Sequence, residues 1–182
     1  FDGSNAEDIA KDYDAVAQLC LEQGAIDVLI ADTDERADAI WKTRGSFLQA
    51  ISGSTTMMDE VDVVVPRNRV NEFVEFVHAL QEEMHIRIKS FGHAGDGNLH
   101  VYILRDDLDE DEWHRVLEAT MEKMYAKARA MEGQVSGEHG IGFAKKSYLK
   151  ESLDPAAVAV MQGIKKAFDP NNILNPRKVC FD

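Results

Sequence analysis

The 182-residue sequence has little cysteine, little positive charge and no long apolar run. Its two cysteines, Cys20 and Cys180, cannot build a disulfide framework and form no Cys-x-x-Cys metal motif. We therefore expect a reducing compartment, the cytoplasm. No apolar stretch reaches the roughly 18 residues of a membrane-spanning helix, and no charged-then-apolar leader precedes the first predicted helix. The chain starts with Phe1 rather than Met, so we expect a preceding region.

Positive charge is also scarce, with 20 Lys and Arg against 33 Asp and Glu and a net charge of -13. This charge repels both a phosphate backbone and an anionic membrane surface, so nucleic acid is not an expected partner. Six of the acids fall in residues 106–112, which we interpret as the solvated start of a helix. The 45% hydrophobic content is typical of a soluble globular domain.

Hydrophobic periodicity predicts alternating helices and strands. Helices are predicted at 6–22, 34–48, 68–83, 109–131 and 155–168, and strands at 25–31, 62–65, 86–91, 99–104 and 134–136. The strands at 86–91 and 99–104 flank a Gly/Asp/Asn turn, which is typical of an antiparallel hairpin. We expect one α+β domain over residues 1–182, a ferredoxin-like antiparallel sheet with helices on one face and a C-terminal helical tail.

Two glycine-rich segments, Gly92–His100 and Ser136–Gly142, carry the chemistry of the chain. The predicted hairpin brings His93 and His100 onto one face, where both imidazoles can share a divalent ion. Glu138, on a small-residue turn, is the natural third ligand, and a three-ligand set leaves positions open for substrate. His139 would then face the substrate as a general base.

Each of these residues has a structural interpretation when it is taken alone. A Gly-Asp-Gly-Asn turn is most often only a hairpin turn, a strand histidine is most often hydrogen-bonded, and Asp96 or Asn98 can simply fasten the loop. Together they favour a site, because glycine clusters would otherwise flank three histidines and a glutamate by chance. Phosphate binding is rejected, because neither segment has the Rossmann spacing or a Gly-Lys-Ser/Thr sequence.

The other polar candidates are less specific. Arg44, in a predicted helix, is by default a solvated side chain, and the alternative is a bidentate grip on a carboxylate. His78, His85 and His114 are expected to be surface or structural residues. Cys20 is expected in the core and Cys180 as an idle thiol.

Five segments resemble the C-terminal domain of the FAD-linked oxidases of the vanillyl-alcohol-oxidase type. This group holds glycolate oxidase flavin subunits, D-lactate dehydrogenases and D-2-hydroxyglutarate dehydrogenases. The matching segments are Trp41–Arg44, Asp62–Pro66, Gly92–His100, Ser136–Gly142 and Asp169–Pro176. The likeness covers nearly the whole chain, and the last three segments stand in the family's order.

The resemblance implies an FAD-dependent oxidoreductase that oxidises a D-2-hydroxy acid to the 2-oxo acid by hydride transfer to flavin, with D-lactate or glycolate favoured. A divalent metal, zinc first, with iron or manganese also allowed by nitrogen and oxygen ligands, is implied at His93, His100 and Glu138. His139 would take the hydroxyl proton. Substrate contacts are implied for Arg44 and Asn98, and a cofactor contact for Asn175.

The chain departs from the family pattern in three places. The FAD-binding domain with its pyrophosphate loop is absent from these residues, so we expect the chain alone to be inactive. Arg177 follows Pro176 where relatives often have Gly, and Glu60 stands near the position of a lysine that some relatives carry. The expected partners are the hydroxy acid, the FAD-binding domain, electron-transfer subunits that would bring peripheral membrane association, and a second copy in a homodimer.

Two other classes of function stay open at this point. A stand-alone ferredoxin-like module could bind a metal or a small carboxylate as a sensor, although sensing does not need the Glu138–His139 pair. A metal-dependent hydrolase could use His93, His100 and Glu138 with His139 activating water, and it would work without flavin.

Overall fold

The computed structural model describes residues 1–179, so Cys180 lies outside the described residues. It divides into two compact units, Phe1–Leu48 and Gln49–Asp182. The helices are α1 Ala6–Glu22, α2 Asp34–Gly45, α3 Phe47–Ser52, α4 Val70–Met84, α5 Glu110–Ala130, α6 Lys146–Ser152 and α7 Pro155–Phe168. The strands are β1 Met58–Val64, β2 Arg87–His93 and β3 Asn98–Leu104.

The first unit is built from helices that begin at side-chain caps. The Asn5 side chain accepts a hydrogen bond from the Asp8 N–H at the start of α1, and Thr33 accepts one from Arg36 at the start of α2. In this described unit, neither α1 nor α2 has a buried side chain, and Cys20 is exposed rather than in a core.

Two further predictions for the first unit are wrong. The described residues 25–31 form no strand, because an apolar run becomes a strand only when a neighbour completes its hydrogen bonds. The helix predicted at 34–48 is broken at Ser46, whose backbone N–H and hydroxyl both donate to the carbonyl of Thr43. This tight closure ends α2, and α3 starts one residue later.

The second unit contains an antiparallel sheet in the order β1-β3-β2. The predicted hairpin is confirmed as β2 and β3, with Phe91 opposite His100 and His93 opposite Asn98. On the other side of β3, Asp62 of β1 lies opposite His100. His100 therefore sits in the middle strand, between residues of both neighbours.

Helices α4 and α5 cover one face of this sheet and enclose the core. Their buried residues, which include Phe73, Val77, Trp113 and Met124, pack with the inward residues of the strands. The α+β class with helices on one face is confirmed. The predicted helix over 109–131 is also confirmed, with Asp109 capping α5 through the Glu112 N–H.

At the free edge of β1, the strand predicted at 134–136 is reduced to a single bridge. Val64 and Gln134 exchange two backbone hydrogen bonds, and the chain then turns away. This bridge lies where the last strand of a βαββαβ unit would pair, so the described topology follows the ferredoxin-like order with a minimal fourth strand.

The C-terminal part of the second unit is helical, as predicted. Asp154 caps α7 by accepting from the Ala156 N–H, and Pro155 takes the first helical position. Helix α6 was not predicted from the sequence. Among the described residues, none of the helices combines the length and apolar character needed to cross a membrane.

Candidate active site

The polar residues of the sheet lie on the face opposite α4 and α5, which we call the open face. Side chains alternate along a strand, so Val61, Val63 and Val101 point into the core. Their neighbours Glu60, Asp62 and His100 therefore point to the open face. The segment 136–139 crosses this face and contributes two more functional side chains, Glu138 and His139.

Three predicted metal ligands come together on the open face. The Nε2 atom of His93 lies 3.2 Å from one carboxylate oxygen of Glu138, and the Nε2 atom of His100 lies 3.6 Å from the other. The ligand atoms of the three residues all lie within 4.8 Å of one another. Two imidazoles and one carboxylate at this separation can converge on a single divalent ion.

Glu60 links two histidines beside this cluster. One of its carboxylate oxygens lies 3.0 Å from Nδ1 of His100, and the other lies 3.2 Å from Nδ1 of His139. The two imidazole rings stack with their centroids 5.0 Å apart. His139 is thus fixed next to the three predicted ligands but makes its own contact with a different carboxylate.

Asp62 holds the segment 136–139 against the sheet. Its side chain is fully buried and accepts hydrogen bonds from the Ser136 hydroxyl at 2.8 Å and the His139 N–H at 2.9 Å. Further donors to it are Asn98 Nδ2, the N–H groups of Gly137 and Glu138, and Lys145 Nζ. One buried carboxylate thereby gathers the chain that carries Glu138 and His139.

The charge of Asp62 is stabilised by these donors. Burial by itself raises the pKa of this carboxyl, but the His139 N–H, Asn98, Ser136 and the positive charge of Lys145 together lower its pKa well below the usual range. Asp62 is therefore a fixed negative charge at the base of the loop, and the loop conformation depends on it.

The glycines of the two motifs allow the close approach of backbone and side chains. A Cβ atom on Gly137 would lie 1.6 Å from Nδ2 of Asn98, and a Cβ on Gly92 would lie 2.2 Å from the carbonyl oxygen of Asn98. Gly97 adopts a φ of +76° in the hairpin turn. Larger residues would displace the segment that carries Glu138 or open the hairpin that carries the histidines.

Asn98, predicted to contact substrate, is buried beneath the loop. Its amide nitrogen donates to Asp62 at 2.9 Å, so part of its role is to support the anchor. Its amide oxygen is buried and has no hydrogen-bond partner among the described residues. The substrate contact stays a prediction.

Two aromatic residues continue the open face beyond the histidines. The Phe91 ring lies 5.6 Å from the His100 ring and stacks on Tyr102 with centroids 5.5 Å apart. The site therefore has a polar part at Glu138, Glu60 and the histidines, and an aromatic part next to it.

The other predicted site residues lie elsewhere in the chain. Arg44 is a half-buried residue of α2 in the first unit, and its role as a substrate ligand stays a prediction. Asn175 is exposed in the tail, where its side chain accepts from Lys178 at 3.1 Å. Its cofactor contact also stays a prediction.

The histidines that were expected to be structural lie outside the site. His78 and His114 are exposed on helices, while His85 ends α4 in a left-handed conformation with φ of 51°. Sequence reasoning missed Asp62 and the role of Glu60. A usable signal existed, because these acids alternate with valines over residues 60–63, at and just before the predicted strand 62–65, and a carboxylate beside buried residues needs specific partners.

Comparisons with known proteins agree on one family. The family described as "FAD linked oxidases, C-terminal domain" matches residues 1–179. The chain is 47% identical over 181 residues to D-lactate dehydrogenase of Anaerostipes hadrus, covering 100% of this chain and 38% of that protein. It is 37% identical over 175 residues to glycolate oxidase subunit GlcD of Bacillus subtilis (strain 168), covering 95% and 37%.

A third relative carries a different substrate in its name. The chain is 32% identical over 180 residues to D-2-hydroxyglutarate dehydrogenase of Stutzerimonas stutzeri (strain A1501), covering 97% of this chain and 38% of that protein. The chain thus spans less than two-fifths of the length of these three relatives.

Proposed function

Since the chain belongs to the family of FAD linked oxidase C-terminal domains, we propose that it is the substrate-binding domain of an FAD-dependent oxidoreductase acting on a D-2-hydroxy acid. D-lactate or glycolate is the favoured substrate. The observation that carries the proposal is the convergence of His93, His100 and Glu138 beside His139 on the open face. FAD, held mainly by a separate domain, supplies the hydride acceptor when bound.

The three converging residues fit a divalent metal. Two histidines and a glutamate form a known ligand set of catalytic zinc, and they leave coordination positions for substrate oxygens. Iron or manganese would also accept these donors. A bound cation would supply a Lewis acid that makes the substrate hydroxyl more acidic and holds its oxygen. The chain itself contributes the positions of the three donor atoms, which it holds close to one another.

His139 is the proposed general base. Its Nδ1 atom faces Glu60, so Nε2 is the nitrogen that can accept the hydroxyl proton. In the reaction, the hydroxyl O–H bond breaks and its proton goes to His139. Bound FAD would accept the α-hydrogen together with its C–H electron pair as hydride, and the carbon–oxygen double bond of the 2-oxo acid would form.

Substrate selection is proposed to favour a single carboxylate. Arg44 would bind the carboxylate through its guanidinium, and Asn98 would offer its buried amide oxygen to a substrate donor. Glu60 places a negative charge beside the histidines, which disfavours a second carboxylate there. The name of the Anaerostipes hadrus relative supports D-lactate for the same reaction.

We propose that Asn175 contacts the cofactor and that the whole protein works in the cytoplasm, as a homodimer or with electron-transfer subunits. A metal-dependent hydrolase built on the same residues would work without flavin, and it predicts a flavin that stays oxidised with every hydroxy acid.

The test uses the full-length protein that contains this chain, under anaerobic conditions. D-lactate, glycolate, D-2-hydroxyglutarate and L-lactate are mixed with it in turn while the flavin absorbance is recorded. We expect bleaching by D-lactate or glycolate, slower bleaching by the dicarboxylate and none by L-lactate. Flavin that stays oxidised with every hydroxy acid would contradict the proposed function.

The role of His139 is tested in the same assay. In His139→Ala the rate of flavin reduction should fall roughly 10²- to 10⁴-fold, because a positioned base is lost, while the substrate dissociation constant changes little. His114→Ala, an exposed histidine of α5, is the matched control and should behave as wild type. Equal losses in rate and in binding, with metal retained, would remove His139 from the chemistry.

A further inference from the structure

One carboxylate of the open face contacts two histidines that have different proposed roles. Glu60 reaches Nδ1 of His100 with one oxygen at 3.0 Å and Nδ1 of His139 with the other at 3.2 Å. His100 is buried, and its Nε2 atom faces Glu138. The two rings are parallel to within 26°. Both histidines therefore present the same nitrogen to Glu60.

This shared contact decides which nitrogen carries the proton in each ring. An ionised carboxylate only accepts hydrogen bonds, so Nδ1 of His100, hydrogen-bonded to Glu60 at 3.0 Å, is the N–H donor. We assign the same state to His139, whose Nδ1 lies 3.2 Å from the other Glu60 oxygen. The Nε2 atom of each neutral ring is then left with its lone pair. A lone pair at Nε2 is what His100 needs to ligate a metal and what His139 needs to accept a proton.

We propose that Glu60 is a positioning residue that holds His100 and His139 together as Nδ1–H tautomers. The assignment of one Nε2 to a metal and the other to the substrate proton rests on the proposed function. The tautomers themselves follow from the contacts of Glu60. In this arrangement, one side chain of β1 sets the state of a metal ligand and of the base, so a change at Glu60 alters both.

The position of Glu60 suits this role. Strand β1 pairs with β3 along its length, which places Glu60 diagonally from His100 on the same face. The backbone N–H groups of Gly137 and His139 donate to Asp62, which belongs to the same strand as Glu60. Glu60 and Asp62 are therefore neighbours on one face of β1, where Asp62 fixes the backbone of the loop and Glu60 fixes the rings.

The substitution that separates the tautomer role from charge alone is Glu60→Gln. A glutamine side chain has one accepting oxygen and an NH₂ group that donates. It can accept from one Nδ1–H but must meet the other ring with a donor, so one histidine is expected to shift its proton to Nε2. Glu60→Asp keeps two accepting oxygens and should partly restore the wild-type behaviour. Asp59→Asn, with the same loss of charge at an exposed neighbour, is the control.

The direct measurement is long-range ¹H–¹⁵N NMR of the full-length protein with ¹⁵N-labelled histidine, in which the ring nitrogen shifts report the tautomer. We expect Nδ1–H tautomers for His100 and His139 in wild type and in Asp59→Asn, and a changed tautomer for at least one of them in Glu60→Gln. Metal affinity and kcat in Glu60→Gln should each fall roughly 10- to 100-fold, with KM changed far less than kcat.

The competing use of these atoms is a second cation held by Glu60, His100 and His139, whose ligand atoms also lie within 4.8 Å of one another. A second equivalent of metal in wild type that is lost in Glu60→Gln would overturn the positioning role. So would wild-type tautomers that are not both Nδ1–H, or tautomers unchanged in Glu60→Gln. The wild-type spectrum decides the matter even where a variant fails to fold.

Failure of the proposed function gives a different result. A full-length protein that reduces no flavin with any hydroxy acid contradicts the proposed reaction, while its histidine spectra still report whether Glu60 sets both tautomers. Conversely, active wild-type enzyme with an Nε2–H tautomer at His139 keeps the reaction and overturns the role of Glu60.

Discussion

The two faces of the sheet in the second unit are built from the same strands but carry different kinds of side chain. The face covered by α4 and α5 carries Val61, Val63, Val101 and Ile103, all fully buried. The open face carries acids, histidines and aromatic residues that contact one another across strands. Because side chains alternate along a strand, the residues that stabilise the fold lie on one side of the sheet and the candidate functional residues lie on the other.

The comparison also shows what each face requires. The covered face needs apolar volume and close packing, which many side chains can supply. The open face needs particular atoms at particular distances, because a buried carboxylate such as Asp62 is stable only with its full set of donors. We expect substitutions on the covered face to change stability alone, and those on the open face to change function.

Asp62→Asn should have the largest effect and should break this separation, because Asp62 supports the loop and lies in the buried part of the sheet. The asparagine NH₂ group would face N–H donors of the segment 136–139 that have lost their acceptor. Removing one partner from such a buried charged network costs roughly 3 kcal/mol. The unfolding temperature and the rate of flavin reduction should both fall.

Asp59→Asn controls for the loss of one charge from β1, since Asp59 is exposed. It should leave both the unfolding temperature and the rate near wild type. Wild-type stability in Asp62→Asn would show that the hydrogen bonds to Asp62 do not hold the loop.

Ile103→Val should have a smaller effect and should sharpen the separation. Ile103 is fully buried on the covered face, so loss of one methylene should cost about 1 kcal/mol in the free energy of unfolding. The kcat and KM of the full-length protein should stay unchanged at temperatures where the variant is folded. A fall in kcat without a change in KM would mean that the two faces are coupled.

Glu72→Gln should have the smallest effect, at the outer side of the covering helices. Hydrogen bonds from Arg69 and then from Lys127 of α5 lower the pKa of Glu72 to about 2. Because the folded pKa lies below the ordinary value, this carboxylate stabilises the fold above about pH 4.5, and the stabilisation is lost as pH falls toward 2.

The measurement for Glu72 is the unfolding temperature of wild type and variant at neutral pH and near pH 3. The difference between them should shrink on acidification, and Glu75→Gln, an exposed carboxylate of the same helix, is the control. A difference that stays constant with pH would mean that the ion pairs of Glu72 contribute nothing measurable.

Much of the fold follows from local signals in the sequence. The bounds of α1 and α7 agree with the predicted 6–22 and 155–168, because caps such as Asn5 and Asp154 act within a few residues of the helix they start. The β2–β3 hairpin is equally local, since its turn glycine and its alternation lie in one continuous segment. Short-range hydrogen bonding is what sequence periodicity reports best.

The two wrong strand predictions share a long-range cause. The apolar run at 25–31 has the composition of a strand, yet Ile26 is fully exposed and no ladder forms within the described unit. The segment at 134–136 pairs at one residue only, because the Ser136 hydroxyl and the N–H groups that follow donate to the Asp62 carboxylate, 74 or more residues away. A sequence pattern does not reveal such distant partners.

The site was predicted in part for the same reason. His93, His100 and Glu138 stand out because glycines flank them, and the structure brings these three together. Glu60 and Asp62 carry no such local mark, and their roles appear only when β1 is placed beside β3 and beneath the loop. A functional residue can be recognised from the sequence when the residues next to it in the chain are unusual. It is missed when its role depends on contacts with residues that are distant in the chain.

The most direct test of the account is the metal content of the full-length protein, purified without chelator and measured by mass spectrometry beside His93→Ala, Glu138→Ala and the control His114→Ala. We expect one divalent metal per chain in wild type and in the control, and its loss in both site variants. Wild-type protein without stoichiometric metal, or metal that persists in His93→Ala and Glu138→Ala, would contradict the proposed site on the open face.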